Sequence, residues 1–488
     1  MISMSKNTPN KRNKPSYIIV ACVIASILLG LYIVSIKTGE YIDSIDQQSK
    51  KLQPYQDLYR QLAGLNGKQK TLLVLANNAE LRTGGGFIGT VGIIESTNGK
   101  VKSDALIGVY GIDSSKNCEQ SVKYAQPDYL VNLSPCPSLR DSNNHLDYSS
   151  NATQSLYFYQ LNTGQSVDNV VQITPRVLER LLDKAGPVYL KEYDMTVTKD
   201  NFRDTVQLEV EAGRDKQQKK DPKSGILGSL ANQMISKLIA QDIYQLKDYI
   251  PLLQELIDQK HINLYSKNDN TQKLIAKIGA DGELKNTDDN YFMMTESNFS
   301  ANKSSAYIKN RVDMNQVLEK DGSSIISATI ASTHSSDYRI PYVDPNSNQS
   351  TWLVGDNNSR IAVVIPEDST IISSSLKDSD YKVTNSNGRK IIEYNRYLKP
   401  LTSTTVDFKY KIPTNYIYSD KLVINSLIQK QLGGWPYEIN YSLTIPDASY
   451  QLVAANVDSV KKELKNPNTI HYSGSIDSDE ILSFMYQK

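Results

Sequence analysis

Twenty consecutive residues without a charge, Tyr17 to Ile36 (YIIVACVIASILLGLYIVSI), constrain this chain more than any other feature. At about 1.5 Å of rise per residue, a helix of that length crosses a hydrocarbon core about 30 Å thick. Lys6, Lys11, Arg12 and Lys14 precede the run with no acidic residue among them, and Lys37, Glu40, Asp43 and Asp46 follow it. The basic N-terminal side predicts a cytoplasmic tail over 1–16, a single transmembrane helix over 17–36, and residues 37–488 outside the plasma membrane. A cleaved signal peptide has a shorter apolar core and small residues at its cleavage site, whereas this run ends Val34-Ser35-Ile36-Lys37. Ile19-Val20-Ala21-Cys22 loosely resembles a lipoprotein processing site, yet most of the apolar run follows Cys22, which is the wrong order. A buried core helix would carry polar residues on one face. The expectation is an uncleaved anchor in the lipid bilayer.

Beyond the anchor, about 450 residues suggest two to three domains. The 54 basic and 53 acidic residues nearly cancel, so no basic footprint argues for nucleic acid. Tyr outnumbers Phe by 31 to 7, which suits a wet surface but identifies no activity. Cys22 lies in the apolar run, leaving Cys118 and Cys136 in a loop-like stretch with Pro127, Pro135 and Pro137. Outside the membrane disulfides persist, and a bridge closing a loop of about 19 residues contributes roughly 3 kcal/mol.

Residues 37–70 read as a helical stalk: Leu52, Tyr55, Tyr59 and Leu62 recur at helical spacing, and Pro54 suits a first turn. Thr71 to Ala76 (TLLVLA) is a short apolar run suited to a sheet centre. Phe87 to Glu95 and Lys100 to Val109 flank Asn98-Gly99, a hairpin signal. Val167 to Ile173 reads as a strand, followed by Thr174 as N-cap and Pro175 in the first turn of a helix bearing Val177, Leu178, Leu181 and Leu182. Gly186 stops that helix, and PVYLKEY returns as a strand. Further helices are expected from Thr198 to near Gly213, along Leu227, Leu230, Met234, Leu238 and Ile239, and on to Lys260. Residues 71–300 are thus expected to form a mixed α/β domain.

From about residue 303 the helical signals nearly vanish. Strand-like runs are SIISATIAST, RIAVVIP, KIIEYNRYL, TTVDFKYKIP, LVINSLIQKQ and YEINYSLTIP, with Asn387-Gly388 marking a hairpin. Three of them end in Ile-Pro (Pro366, Pro413, Pro446), where proline terminates pairing. This pattern predicts an all-β sandwich over 301–488.

The most unusual segment is Asn77 to Gly92, NNAELRTGGGFIGTVG. Gly84, Gly86 and Gly89 formally satisfy G-x-G-x-x-G, but a dinucleotide site needs those glycines between a strand and a helix, and Phe87 onward alternates as a strand. Two readings stand. One is a glycine-rich bend that lets two backbones approach closely. The other is an anion site: N–H groups of Gly84, Gly85 and Gly86 beside Arg82, with Asn77 and Asn78 adjoining and Glu80 orienting or neutralising the arginine. A second charged run, Arg214-Asp215-Lys216 with Lys219, Lys220 and Lys223, precedes the Leu227 helix. It is either a solvated loop or a set of cations, Arg214 and Lys220 among them, facing the same pocket as Arg82. His145, His261, His334 and His471 are far apart and lack metal-ligand spacing, so no metal site is expected. No G-x-S-x-G elbow and no Walker loop occur.

These residues carry a resemblance. Asn77 to Gly89 resembles the signature N-N-A-E-L-R-x-T-G-G-F-I-G of the domain-of-unknown-function 4012 family of bacterial single-pass membrane proteins, with Thr83-Gly84 where members often have Pro-Thr. VDNVVQITPRVLERLLDKAGPVYL, TKDNF, KHINLY, ESNFSANKS and IQKQLGG are similar to it as well, so the likeness spans about 70–488. The family implies no activity. More distantly, the order of elements resembles the LytR-CpsA-Psr enzymes, which transfer glycopolymers from a polyprenyl-pyrophosphate carrier outside the membrane. That likeness implies an LytR-like mixed sheet with flanking helices, and a pyrophosphate gripped by Arg82 and Arg214. The acidic residues that hold magnesium there are matched here by Asn77 or Asn78 and glycine. The paired arginines become one Arg plus lysines, which lack the bidentate grip.

Three functions follow as expectations. The first is a cell-envelope protein without demonstrated catalysis that binds an envelope glycopolymer or lipid-linked ligand, with the sandwich contacting wall or envelope proteins; it needs no cofactor. The second is a magnesium-assisted glycopolymer phosphotransferase or pyrophosphatase, which requires Glu80, Asp104 or Asp113 to converge within about 8 Å of the Arg82 guanidinium. The third is a structural or adhesive surface protein, which predicts no apolar channel beside Arg82.

Overall fold

A computed structural model describes residues 46–488, apart from 104–105, 114–117, 119–122, 212–224, 240–248, 288, 338–340, 344–349, 353, 414–415, 458–460 and 463–467. The apolar run at 17–36, Asp104, Arg214 and Lys220 lie outside the described residues. Among the described residues no helix is long and apolar enough to cross a membrane.

The run at Thr71–Ala76 becomes β1 (Gln69–Asn77), the middle of a six-stranded mixed sheet. β2 (Phe87–Thr97) and β3 (Lys100–Ser103) form the expected hairpin, and Asn98 and Gly99 turn it with φ of 49° and 75°, the left-handed pair a tight hairpin turn needs. The outer strand is shorter than expected. It stops at Ser103, and a separate β4 (Ile107–Gly108) pairs with β2 at Thr90–Val91. β5 (Asn169–Ile173) lies parallel to β1 on its other side. β6 (Val188–Leu190) and β7 (Met195–Val197) pair with each other as a separate small sheet, and β8 (Ile262–Ser266) completes the order β3-β2-β1-β5-β8.

Seven described helices surround this sheet: α1 (Asp46–Leu62), α2 (Tyr148–Thr163), α3 (Pro175–Ala185), α4 (Phe202–Glu211), α5 (Ile226–Ile239), α6 (Tyr249–Asp258) and α7 (Asp269–Lys277). Strand side chains alternate between two faces. Leu73, Ile94, Val171 and Ile173 meet α1 and α3 through α7 on one face, while Leu72, Val74, Val91 and Val170 meet α2 on the other. Of the stretch expected as a stalk, Asp46–Leu62 is helical, but Tyr55, Leu58, Tyr59 and Leu62 are buried in the first of these cores, so α1 is packed onto the sheet. Pro54 sits inside α1 rather than in its first turn, because the helix begins at Asp46. Cys118 and Cys136 form a disulfide with their Cα atoms 5.0 Å apart.

The C-terminal region is largely β. Its strands are β9 (Asn290–Asn298), β10 (Ile308–Leu318), β11 (Ser324–His334), β12 (Pro341–Val343), β13 (Ser350–Trp352), β14 (Asn357–Pro366), β15 (Thr370–Ser374) and β16 (Tyr381–Ser386). There follow β17 (Arg389–Leu398), β18 (Ser403–Ile412), β19 (Lys421–Gln429), β20 (Tyr437–Thr444), β21 (Gln451–Ala455), β22 (Lys461–Lys462), β23 (Thr469–Ile476) and β24 (Glu480–Gln487). Two seven-stranded mixed sheets run β15-β18-β11-β10-β20-β23-β22 and β16-β17-β14-β9-β19-β24-β21. They share one apolar core, in which Tyr441 of the first sheet stacks on Phe484 of the second with ring centroids 5.8 Å apart. Asn387 and Gly388 turn the β16–β17 hairpin with positive φ, and β14 ends on Pro366. β9 precedes the boundary expected at 300, yet it lies between β14 and β19 with all nine residues buried.

Candidate functional site

Where β1 ends, the chain does not turn tightly into β2. Asn77 accepts a hydrogen bond from the Ala79 amide at 3.0 Å and starts one helical turn over Asn78–Glu80. The chain then runs inward: Leu81 is 3% and Arg82 1% exposed. Arg82 Nη2 donates to Glu80 Oε1 at 3.0 Å, and Lys303 Nζ donates to Glu80 Oε2 at 2.7 Å. Arg82 Nη1 also donates to the Asn298 carbonyl, and the guanidinium carbon lies 5.5 Å from the Phe87 ring centroid. Burial alone would raise the Glu80 pKa, but the charges and hydrogen bonds of Lys303 and Arg82 outweigh it and hold the carboxyl below its ordinary range. Arg82 is therefore an internal cation held by Glu80, directed inward rather than toward an open loop.

The glycines serve close approach. Gly433 has φ of 58°, and a Cβ placed on it would lie 2.6 Å from the Gly85 carbonyl oxygen. A Cβ on Gly84 would lie 2.6 Å from the Asn143 carbonyl oxygen, and Gly85 and Gly86 have φ of 118° and 134°. Gly84 N donates to Asn143 O at 2.8 Å and Gly85 N to Arg82 O at 2.9 Å, while Gln172 Nε2 donates to Gly84 O at 2.7 Å and Asn143 Nδ2 to Gly86 O. Asn78 Nδ2 donates to Gly433 O at 2.9 Å, Trp435 Nε1 to Asn78 O at 3.1 Å, and Gln431 Nε2 to Arg82 O at 3.0 Å. Asn77–Gly89, 296–304 and 428–434 thus converge on one seam between the α/β region and the β sheets.

Further along that seam, Lys260 pairs with Asp479 at 2.8 Å. Lys430 Nζ donates to the carbonyls of Gln259 and Gly434 at 2.7 Å each. Burial pushes the Lys430 ammonium down to about 7, with Asp477 opposing. His261 Nδ1 and Thr174 Oγ1 are 2.9 Å apart, and burial beside Lys430, Arg176 and Arg203 drives the imidazole well below its ordinary range. Thr174 is the N-cap of α3, as expected, but its hydroxyl serves His261 rather than the helix.

Beside the seam, at the same end of the sheet, lies a cavity of about 310 Å³. Its walls come from the end of β1 (Leu75 to Ala79), the start of β2 (Phe87 to Thr90), α3 (Pro175, Leu178), α4 (Phe202 to Val210) and Leu227 of α5. The lining is apolar apart from a few groups, chiefly Asn77, Asn78, Thr174, Arg203, Gln207 and Lys303. Arg203 pairs with Glu179 at 2.7 Å and lies 4.3 Å from the Trp435 ring centroid. Tyr110 also faces the cavity, and the Phe87 ring stands between it and Arg82.

Asn77, Asn78, Glu80, Arg82, Gly84, Gly85 and Gly86 are therefore brought together, but only Asn77 and Asn78 line the cavity. Asp113 does not join Glu80 in this cluster; it accepts from the Leu139 amide at 2.8 Å and pairs with Arg140 at 3.2 Å. The helices flanking the 212–224 segment both line the cavity, α4 with five residues ending at Val210 and α5 with Leu227. Among the described residues no three His, Cys, Asp or Glu side chains are grouped to hold a metal ion. Lys303, Arg203 and the apolar walls were not singled out from the sequence. Lys303 lies in the family-like stretch ESNFSANKS, the one signal that pointed to it.

The fold and site define a two-part protein: a mixed α/β region with an apolar cavity, sealed by buried ion pairs against a largely β region. Residues 66–210 form a DUF4012 domain, matching the family model described as "Protein of unknown function (DUF4012)". No curated protein matches the chain. Among solved structures, a candidate nutrient binding protein from Legionella pneumophila is similar at 8% identity and a TM-score of 0.28, covering 41% of this chain and 71% of that one. A candidate protease from Parabacteroides distasonis is similar at 15% identity and a TM-score of 0.23, covering 37% and 40%. An M1 zinc metallopeptidase from Deinococcus radiodurans is similar at 11% identity and a TM-score of 0.22, covering 37% and 42%. The chain spans under half the length of these two peptidase structures, and at such TM-scores none of the three bears on activity or ligand.

Proposed function

We propose that this is a membrane-anchored, extracytoplasmic cell-envelope protein whose α/β region binds a lipid-linked envelope ligand. The apolar chain of the ligand occupies the cavity between β1, α3 and α4, and its anionic head meets Arg203 and Lys303. The observation that carries this reading is the cavity itself. Small-molecule sites span about 300–1,000 Å³ and are mostly apolar with a few placed polar groups, and this one has about 310 Å³ with two cations among its polar residues. The anchor over 17–36 and the Cys118–Cys136 disulfide fit an envelope location.

The glycopolymer-transferase alternative needs a carboxylate free to hold magnesium near Arg82. Among the described carboxylates expected there, Glu80 is within reach but its two oxygens are taken by Arg82 and Lys303, and Asp113 is paired with Arg140. The binding reading is therefore preferred. Native mass spectrometry of detergent-extracted full-length protein tests it, comparing wild type with Leu178→Trp, which fills the cavity. The expected result is a co-purifying lipid present in wild type and lost in the variant. Lipid absent from both, or retained equally by both, would reject the reading.

A further inference from the structure

The two seven-stranded sheets differ in their outer faces. On β9, β14 and β19, Tyr291, Met293, Val364 and Leu427 are buried with Leu146 and Leu284 from the α/β side packed among them. The other sheet lies across the shared core, and Asn315, Asn440, His471 and Ser473 on its outer face are exposed.

Side chains two apart on a strand share a face, and the pairing register aligns eight of them in two rows across β11, β10, β20 and β23. One row is Thr329, Asp313, Asn440 and Ser473; the next is Ser327, Asn315, Ser442 and His471. Three strand spacings make each row about 14 Å long, with about 7 Å between the rows. None of the eight is a long, flexible side chain. Arg311 and Glu438 stand one rung further along, and Lys409 lies beyond Ser327 on β18. The short floor inside this longer rim leaves a trough of about 480 Å³.

The floor is fixed by its own hydrogen bonds. Asn440 Nδ2 donates to Asp313 Oδ1 at 2.6 Å, Ser473 Oγ to Asn440 Oδ1 at 2.9 Å, and Ser442 Oγ to Asn315 Oδ1 at 2.8 Å. A side-chain amide has two N–H donors and an oxygen with two lone pairs, so these bonds orient both asparagines and leave them capacity for a further partner. Side chains held in place beforehand lose less freedom when a ligand binds. Asp313, the one carboxylate of the eight, also pairs with Arg311 at 3.2 Å, which offsets its charge.

The chemistry narrows the occupant. No lysine or arginine is among the eight, so a phosphate-bearing polymer meets no counter-charge on the floor. The outward side chains are polar, so an amphipathic helix finds no apolar groove. β11, β10, β20 and β23 are each paired on both sides, so none offers an open edge to a peptide strand. A ligand dense in hydroxyls, which both donate and accept, matches amides, hydroxyls and a carboxylate set in rows.

We propose that this trough binds a neutral glycan, a chain of hexopyranose units lying along the two rows, with Asn315, Asn440 and Asp313 bonding its hydroxyls. The site is separate from the apolar cavity and does not depend on what that cavity holds.

Isothermal titration calorimetry of full-length protein in a sugar-free detergent tests this, with maltotetraose, cellotetraose and chitotetraose as probes. At least one of the three is expected to bind. Replacing both amides, Asn315→Val with Asn440→Val, should weaken that binding about tenfold or more, and valine suits a strand. Ser442→Lys, which keeps both amides but projects a long side chain into the trough, should weaken it as well. Leu178→Trp, in the apolar cavity, should leave it unchanged. No binding of any probe at millimolar concentration would overturn the proposal, as would equal affinity in wild type and the trough variants. Loss of glycan binding in Leu178→Trp, or tighter binding of polyglycerol phosphate than of all three sugars, would overturn it too. Lipid retention by native mass spectrometry reads the cavity separately, so either proposal can fail while the other stands.

Discussion

Gly85 and Gly433, from the two ends of the chain, pass so closely that a single added methyl group would meet backbone. A Cβ on Gly433 falls 2.6 Å from Gly85 O and 2.9 Å from Gly85 Cα, whereas one on Gly164, with similar φ, meets nothing within 4 Å. Left-handed backbone costs a non-glycine residue about 1–2 kcal/mol in either place. Gly433→Ala is expected to cost that plus the clash, and Gly164→Ala the strain alone. Thermal unfolding of the two variants checks this; equal losses would show that the seam gives way without cost.

Glu80 is the counter-ion for both Arg82 and Lys303. Glu80→Gln removes the carboxylate that two buried cations share and is expected to cost about 3–5 kcal/mol, the range for breaking a buried ion pair. The pH dependence has a definite sign. The folded pKa of Glu80 lies below its ordinary 4.5, so its stabilisation is present at neutral pH and lost as pH falls through the folded value. Denaturation curves of wild type and variant should converge in acid. A constant difference across pH would contradict the role given to Glu80.

Lys430 has a slope of the same sign in a higher pH window, but there it marks the relief of a penalty rather than a gain from a partner. Its folded pKa is pushed down to about 7 from 10.5. Between those values the unfolded chain binds more protons than the folded one, so stability rises with pH across that window. Below it the penalty for a buried ammonium is fully present. Wild type should gain on Lys430→Met from about pH 7 toward 10, measured by urea unfolding. Parallel profiles would show that the ammonium is not held out of water.

The Cys118–Cys136 bridge has a sequence separation of 18. A loop of that size predicts a loss of about 3 kcal/mol on Cys118→Ser with Cys136→Ser. Alkylation followed by mass spectrometry of protein taken from intact cells should find both cysteines oxidised. Free thiols in native protein would contradict an extracytoplasmic location.

Local chemistry was legible in the sequence; long-range pairing was not. Asn98-Gly99 and Asn387-Gly388 announce hairpins because the turn itself demands positive φ, and Thr174-Pro175-Gly186 brackets α3 for equally local reasons. Arg82 stood out as a charged residue in a glycine-rich stretch. Its neutraliser, Glu80, is shared with Lys303 from 223 residues away, which no spacing rule reveals. Of the two readings of the glycines, close backbone approach is the geometry found, but the partner Gly433 is equally remote. β9 escaped notice because it is buried throughout and ends in Glu296, Ser297 and Asn298, with Glu296 paired to Arg396 at 2.8 Å. Its apolar run, Tyr291 to Met294, has the minimum length by which a buried strand is read, and its polar second half hides the rest. The cavity was invisible for a simpler reason: Leu75, Leu178 and Val206 look the same in sequence whether they face a core or an empty space.

The central claim is that an apolar chain resides between Leu75, Leu178 and Val206. An experimental structure of full-length protein extracted from its own membranes tests this most directly. The account predicts continuous, elongated density along those three side chains, ending at Arg203 and Lys303. A cavity filled by ordered water, or closed by its own walls, would contradict it.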